Sequence, residues 1–304
     1  MKKIISVLLL AAVAYAPAWA CDVCGCSSSS QFLGVLPGYS YNFIGLQYLH
    51  ADYTSTHPGL RDTDPMEHAA DHYNTLQLWG RYNIGKKYQV FLFVPYQFNY
   101  HHADSGRYDN SGIGDITVMA NRKLLDKESC NISHLLTGGV GIKLPSGHHD
   151  GISILDKEGL PNMQPGTGAR DLIVSTNYTL RYKKLGFNAD ASYTLTTTSS
   201  DSYKYGNKLN SGLLGFYALA AGRISMMPVT GVRYEYTLHD YDNYRKKWLN
   251  EQSGGYMVFA AAGVQAYYKK VGARVTGQLP MAQHYAAGNV TASYKLETNI
   301  FFLF

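Results

Sequence analysis

The sequence predicts an all-β chain: a twelve-stranded antiparallel transmembrane β-barrel behind an amino-terminal arm. Three observations predict it. Apolar and polar residues alternate with period two in strand-length segments, the connections between segments alternate between short and long, and only 16% of residues are charged against 45% hydrophobic. Soluble domains carry about 25% charged residues, so the deficit points to a surface that water does not cover. No stretch after the first twenty residues approaches the ~18 consecutive apolar residues of a helical span, which leaves strands as the spanning element. The 26 Tyr and 30 Gly against 3 Trp suit strands with an aromatic rim.

Residues 1–20, MKKIISVLLLAAVAYAPAWA, read as a secretory signal peptide: Lys2 and Lys3, an apolar core from Ile4 to Ala16, and the small-x-small site Ala18-Trp19-Ala20. The mature chain then begins at Cys21 with CDVCGCSSSS, and residues 21–38 form a periplasmic arm in which Ser27–Ser30 is a flexible linker. Lipidation of Cys21 stays as an alternative, although Ala18 and Trp19 stand where lipoprotein signals have leucine and a small residue. Removing Lys2 and Lys3 from the formal charge of +5 leaves +3, too mild to attract nucleic acid.

The barrel occupies residues 39–304, with strands near 39–53, 71–84, 87–100, 112–125, 132–146, 170–183, 186–199, 207–223, 227–240, 254–269, 271–284 and 289–304. Those from 39 and 207 alternate weakly. The segment 170–183 alternates well, with Leu172, Val174, Tyr178, Leu180 and Tyr182 facing away from Asp171, Ser175, Asn177, Thr179, Arg181 and Lys183. The last segment is the clearest: Val290, Ala292, Tyr294, Leu296, Thr298, Ile300, Phe302 and Phe304 share one face, and Thr291, Ser293, Lys295, Glu297 and Asn299 the other. Short connections fall at Gly85–Lys87, Asp126–Asn131, Lys183–Gly186, Met226–Pro228 and Lys269–Val271; long ones include Thr54–Ala70, Gly147–Gly168 and Tyr241–Ser253. Short turns on the periplasmic side and long loops outside are the build of a transmembrane barrel, and an even strand count returns both termini to the periplasm. A soluble sandwich or barrel would turn its apolar faces inward, but twelve such strands enclose more space than those side chains fill. Lipid of the outer membrane covers them instead.

The terminal Asn299-Ile300-Phe301-Phe302-Leu303-Phe304 resembles the carboxy-terminal signal of bacterial outer-membrane barrels, which implies the barrel-assembly machinery as a partner through Phe304. Ser111-Gly112-Ile113-Gly114-Asp115-Ile116, Leu144-Pro145-Ser146-Gly147 and Pro165-Gly166-Thr167-Gly168-Ala169-Arg170-Asp171 resemble the outer-membrane transporter family named for the phenol-degradation (MetA) pathway. Ser146 replaces that family's usual threonine. The motifs cover residues 111–171, and the family name does not establish a substrate.

Turning each polar face inward gives a lumen with Arg81, Lys123, Lys143, Arg181, Arg233, Arg274 and Lys295 beside Asp115, Asp171, Asp190, Glu235 and Glu297. The small cationic excess favours anions if the pore is open; in a closed pore the same groups pair and fill the interior. His101, His102, His148 and His149 fall in or beside the outer loops, with His57, His68 and His72 in the first loop, where imidazoles can meet a metal ion. Some outer-membrane barrels of this size are lipases, but His239 and His284 have no serine placed beside them in sequence, so the chain does not read as an enzyme.

Cys130 lies in a periplasmic turn, on the same side as Cys21, Cys24 and Cys26. In an oxidising compartment the four can form disulfides, in three complete pairings among which sequence does not choose. Cys-x2-Cys-x-Cys can equally wrap a soft ion, Cu(I) or Zn, with Cys130 or the α-amine of Cys21 as a further ligand. The expected function is a channel for small solutes with a cysteine-bearing arm of structural or metal-binding role. The alternative is a copper- or zinc-binding outer-membrane component whose barrel is chiefly a scaffold.

Overall fold

A computed structural model describes residues 41–57, 67–104, 106–149, 161–200, 203–243 and 246–304. The signal segment, the arm and three of the four cysteines lie outside these residues. The described residues form strands β1 (Phe43–His57), β2 (Glu67–Ile84), β3 (Tyr88–Ala103), β4 (Gly106–Ile113), β5 (Thr117–Glu128) and β6 (Ile132–Lys143). After a 3-10 turn at Pro161–Met163 come β7 (Asp171–Tyr182), β8 (Leu185–Leu195), β9 (Tyr203–Lys204), β10 (Lys208–Tyr217), β11 (Leu219–Ala221) and β12 (Ile224–Thr237). The last are β13 (Tyr241–Asp242), β14 (Lys247–Trp248), β15 (Gly255–Tyr268), β16 (Val271–Tyr285) and β17 (Val290–Leu303).

Fourteen of these strands make one antiparallel sheet; β4 and β5 share a stave, as do β10 and β11, which leaves twelve staves. The sheet closes where β1 pairs β17, from Phe43 opposite Leu303 to Ser55 opposite Val290. Closure leaves no strand edge, the condition for a sheet in lipid. The remaining β9, β13 and β14 form a separate three-stranded sheet within the long loops.

Three irregularities of the ladder have a proline opposite or within them, because proline has no N–H to give to the ladder. Pro95 of β3 faces the break between β4 and β5, and its carbonyl accepts the Gly114 N–H instead (2.9 Å). Pro228 of β12 faces the break between β10 and β11. At Pro280 the β15–β16 register slips by one residue, from Val258 opposite Ala282 to Phe259 opposite Pro280.

Along β1, Phe43, Gln47, Ala51, Tyr53 and Ser55 are buried while Ile44 and Leu46 are each 49% exposed. The same alternation recurs around the barrel: Leu76, Leu78, Leu92, Val174, Leu213, Val232, Val264, Ile300 and Phe302 are exposed large apolar residues on the outer face. Only lipid can cover a surface of that kind.

Three expectations change. Val290 and Ala292 do not share the outer face with Tyr294 and Ile300; both are buried, because the register shifts between Asp52 and Tyr53, where Tyr53 pairs Ala292 and Asp52 pairs Tyr294. One extra residue in a strand inverts the parity of everything beyond it. The strands of the first hairpin and of β3 run further than turn chemistry suggested, so His57, His68, His72, His101 and His102 are strand residues and not loop residues. The expected strand at 112–125 is broken at residues 114–116 and extends backward to Gly106.

Candidate functional site

The lumen is layered. At the short-turn end a ring of apolar side chains closes in: Phe43, Trp79, Phe91, Phe93, Met119 and Phe301 are all buried. Phe43 meets Trp79 edge-on at 4.6 Å, Trp79 stacks on Phe93 at 6.0 Å, and Tyr267 meets Phe301 edge-on at 5.6 Å. Such pairs gain about 0.5–1.5 kcal/mol beyond their area burial. Sequence reading misses this ring because Val90–Val94 is apolar on both faces and so has no visible phase.

The wall is polar above the ring, and Arg81, opposite Phe43 on β1, lies within the ring's own layer. Arg81, 1% exposed, gives its Nη2–H (2.6 Å) and Nε–H (3.2 Å) to the Tyr41 carbonyl and lies over the Phe43 ring at 5.2 Å. Arg274 pairs with Glu297, and Arg233 Nη1 meets both oxygens of Asp190 at 3.2 Å. Lys295 Nζ donates to Glu235 at 2.7 and 2.8 Å and sits 4.4 Å from the centre of the Phe259 ring. Lys143, Asp115 and Asp171 form a triad, with Lys143 Nζ 2.6 Å from Asp171 and 3.4 Å from Asp115. Among the expected lumen charges, two stand at the short-turn rim: Lys123, 3.5 Å from the exposed Asp126, and Arg181, exposed and donating to the Lys183 carbonyl. Arg181 has inward parity, but it lies next to the turn where the wall ends.

Several buried polar atoms have no protein partner among the described residues, including Trp79 Nε1, Asn121 Oδ1, Ser175 Oγ, Asn188 Oδ1, Thr276 Oγ1 and Asn299 Oδ1. A buried polar group left unmet costs about 1–3 kcal/mol, so a dry lumen would be strongly penalised. None of these atoms is reached by solvent, so individual internal waters are what would meet them.

At the long-loop end a second set of apolar side chains lines the interior. Tyr53, Tyr73, Met257, Phe259, Tyr285 and Val290 form a second apolar cluster, and Met163 from the loop between β6 and β7 is packed into it with 0% exposure. The segment Pro161–Thr167 lies inside the mouth: the side-chain amide of Gln97 donates to the Pro165 carbonyl (3.0 Å), that of Asn99 to the Met163 carbonyl (3.2 Å), and the Tyr205 hydroxyl to the Pro161 carbonyl (2.8 Å).

The motif residues between 111 and 171 hold this segment. Asp115, buried in the break between β4 and β5, accepts the Gly147 N–H (3.0 Å), the Thr167 N–H (2.9 Å) and the Thr167 hydroxyl (2.6 Å), and the Lys143 ammonium donates to that hydroxyl oxygen at 2.8 Å. Gly147 and Gly166 are in backbone contact: a Cβ on either would fall 2.6 Å from the other's backbone. Glycine is required there by closeness. Ser146 Oγ accepts the Ile116 N–H at 2.9 Å, which ties the second motif to the first.

The histidines do not converge. His101 and His102 are adjacent in a strand and so point to opposite faces. His101 is turned inward, with Nδ1 2.6 Å from Asp71, while the His102 ring packs against His72 on the outer wall at 5.8 Å. His149 lies 3.2 Å from Ser200 Oγ and His148 is exposed. Among the described residues no group of three or more His, Cys, Asp or Glu is arranged to hold a metal ion. His239 does have a serine beside it, which sequence did not foresee. The contact is to the Ser253 carbonyl (2.5 Å), however, and the Ser253 hydroxyl donates to the Leu249 carbonyl. Cys130 is exposed in the turn between β5 and β6, on the rim where the β17 strand ends.

No protein-family model matches this chain, and no curated protein does. Among solved structures, the chain is similar to the COG4313 outer membrane channel from Pseudomonas putida F1, at 14% identity and a TM-score of 0.66, over 89% of this chain and 100% of that one. The β-domain of the Bordetella autotransporter Brka aligns less well, at 10% identity and a TM-score of 0.48 over 86% of this chain and 99% of that one. So does the transport unit of the Escherichia coli autotransporter AIDA-I, at 8% identity and 0.48 over 91% and 94%. The first likeness and the closed, lipid-covered sheet lead to one conclusion: the chain has the fold of a bacterial outer-membrane β-barrel.

Proposed function

We propose that the protein is an outer-membrane channel for small solutes, with Pro161–Thr167 as a stopper in its outer mouth. The observation that carries this reading is the polar inner wall, in which Arg233, Arg274 and Lys295 with Asp190, Glu297 and Glu235 stand between the two apolar clusters. Besides its anchor at Asp115, the stopper is held by side-chain hydrogen bonds to three of its carbonyls, bonds that water can replace one at a time. The likeness of residues 111–171 to the family named for phenol degradation fits the same reading, since those motif residues anchor the stopper. In this reading residues 1–20 are removed on export, residues 21–38 lie in the periplasm and Phe304 is read by the assembly machinery. The protein reconstituted in planar bilayers conducts ions in brief openings, and exchanging both Gln97 and Asn99 for alanine lengthens them. A wild-type barrel and a double variant that are both silent would overturn the reading.

A second reading rests on the thiols. Three cysteines within six residues of sequence, with Cys130 exposed in the turn between β5 and β6, suit a metal-binding arm for which the barrel is a scaffold. Near-stoichiometric copper or zinc in protein from outer membranes, absent when Cys21, Cys24 and Cys26 are serine, supports it; a metal-free protein lighter by two or four hydrogens assigns the thiols to disulfides.

A further inference from the structure

On the wall formed by β12, β15 and β16 a small cavity opens into the lumen. Arg233, Arg274, Thr276 and Gln278 line it above a floor that includes Leu214 and Val229. The space for the centre of a water-sized sphere is about 10 Å³, which is room for one water or one monatomic ion and too little for a carboxylate.

The lining selects the sign of charge. Both of its ionic side chains are guanidiniums, and no carboxylate lines the cavity itself; Asp190 pairs with Arg233, and Glu297, opposite Thr276 on β17, pairs with Arg274. Guanidinium presents only donors and stays charged at every physiological pH. Thr276 is 4% exposed, and its hydroxyl has no protein partner among the described residues. A threonine hydroxyl can turn its proton toward an anion, and no other described residue claims it. Gly212 keeps the approach open, since a Cβ there would stand 2.7 Å from Arg233 Nη1 and 2.9 Å from Asp190.

Toward the outer mouth, the inward Lys208 on neighbouring β10 is 8% exposed and has no ion-pair partner among the described residues. Lys208 pairs Thr237, and Gly212 pairs Arg233, so the two positive groups are four residues apart along the wall, about 13 Å at strand rise.

We infer that the cavity between Arg233 and Arg274 binds a single monatomic anion of the halide class, with Thr276 as its neutral donor and Lys208 as the positive group nearer the mouth. This deepens the channel reading and rests on it only for the claim that the anion passes through. The test uses crystals of the full barrel grown without halide and soaked in sodium bromide. One anomalous peak between Arg233 and Arg274 is expected, and Thr276→Val, which keeps shape and charge, weakens bromide affinity at least about tenfold, as does Arg274→Gln. No peak in the wild type overturns the site. So does a peak unchanged in both variants, which would mark an adventitious ion only. Permeability in planar bilayers separates the two ideas: a peak without conductance keeps the site and removes the channel, and conductance without a peak does the reverse.

Discussion

Asp115→Ala removes the acceptor on which the stopper hangs. Three donors lose it, namely the Gly147 and Thr167 N–H groups and the Thr167 hydroxyl, at 3.0, 2.9 and 2.6 Å. The hydroxyl can turn elsewhere; the two N–H groups cannot. The Thr167 N–H is buried and the Gly147 N–H only half-buried, so the seated segment loses about 1–3 kcal/mol, on the order of tenfold in the ratio of seated to released forms. Lys143 keeps Asp171 at 2.6 Å, so no buried ammonium is stranded and the barrel itself stays folded. Hydrogen exchange at the Gly147 and Thr167 amides measures the effect directly: both accelerate by about that factor, while the β15 and β16 amides and the heat-dependent gel shift of a closed barrel stay as in wild type. Asp115→Asn, which retains an acceptor oxygen, exchanges more slowly than the alanine variant. Unchanged exchange at Thr167 in a folded Asp115→Ala barrel would refute the anchoring role.

Trp79→Ala removes the ring that meets Phe43 and Phe93 at the short-turn end; a loss of about 3–5 kcal/mol is expected in urea unfolding from liposomes, with larger single-channel currents if that ring is the inner constriction. Ile300, 65% exposed on the outer face, becomes a probe of lipid contact: Ile300→Arg costs up to about 2–4 kcal/mol by the same unfolding measurement if it sits near the bilayer midplane, whereas an effect near zero would place it at the interface or in water. Gly186→Val would put a Cβ 2.0 Å from the Phe216 ring, so a loss of about 1–3 kcal/mol and a lower folded yield are expected, and Phe216→Ala in the same chain recovers part of it.

Period-two alternation made the wall legible where each strand has one polar and one apolar face, as in β7. It failed where a proline or an extra residue changes the ladder. Nothing near Val290 announces that the register on β1 slips at Asp52, because the slip is a property of two strands 240 residues apart in sequence. Arg181 had the right parity and the wrong height, since parity carries no information on where the wall ends. His101 and His102 looked like a pair for want of a known strand boundary; once β3 extends to Ala103, their adjacency separates them.

By itself the sequence determined a closed, lipid-covered barrel of twelve staves, because alternation, connection length and the shortage of charge are local properties that lipid and backbone hydrogen bonding convert into closure. Only the tertiary structure decided what fills the barrel. The Asp115 anchor, the stopper's contacts with Gln97 and Asn99, and the meeting of Arg233 with Arg274 join residues 32 to 68 positions apart. Those contacts depend on the strand register and curvature that set neighbouring staves and the inserted loop against one another, and no local pattern encodes that placement.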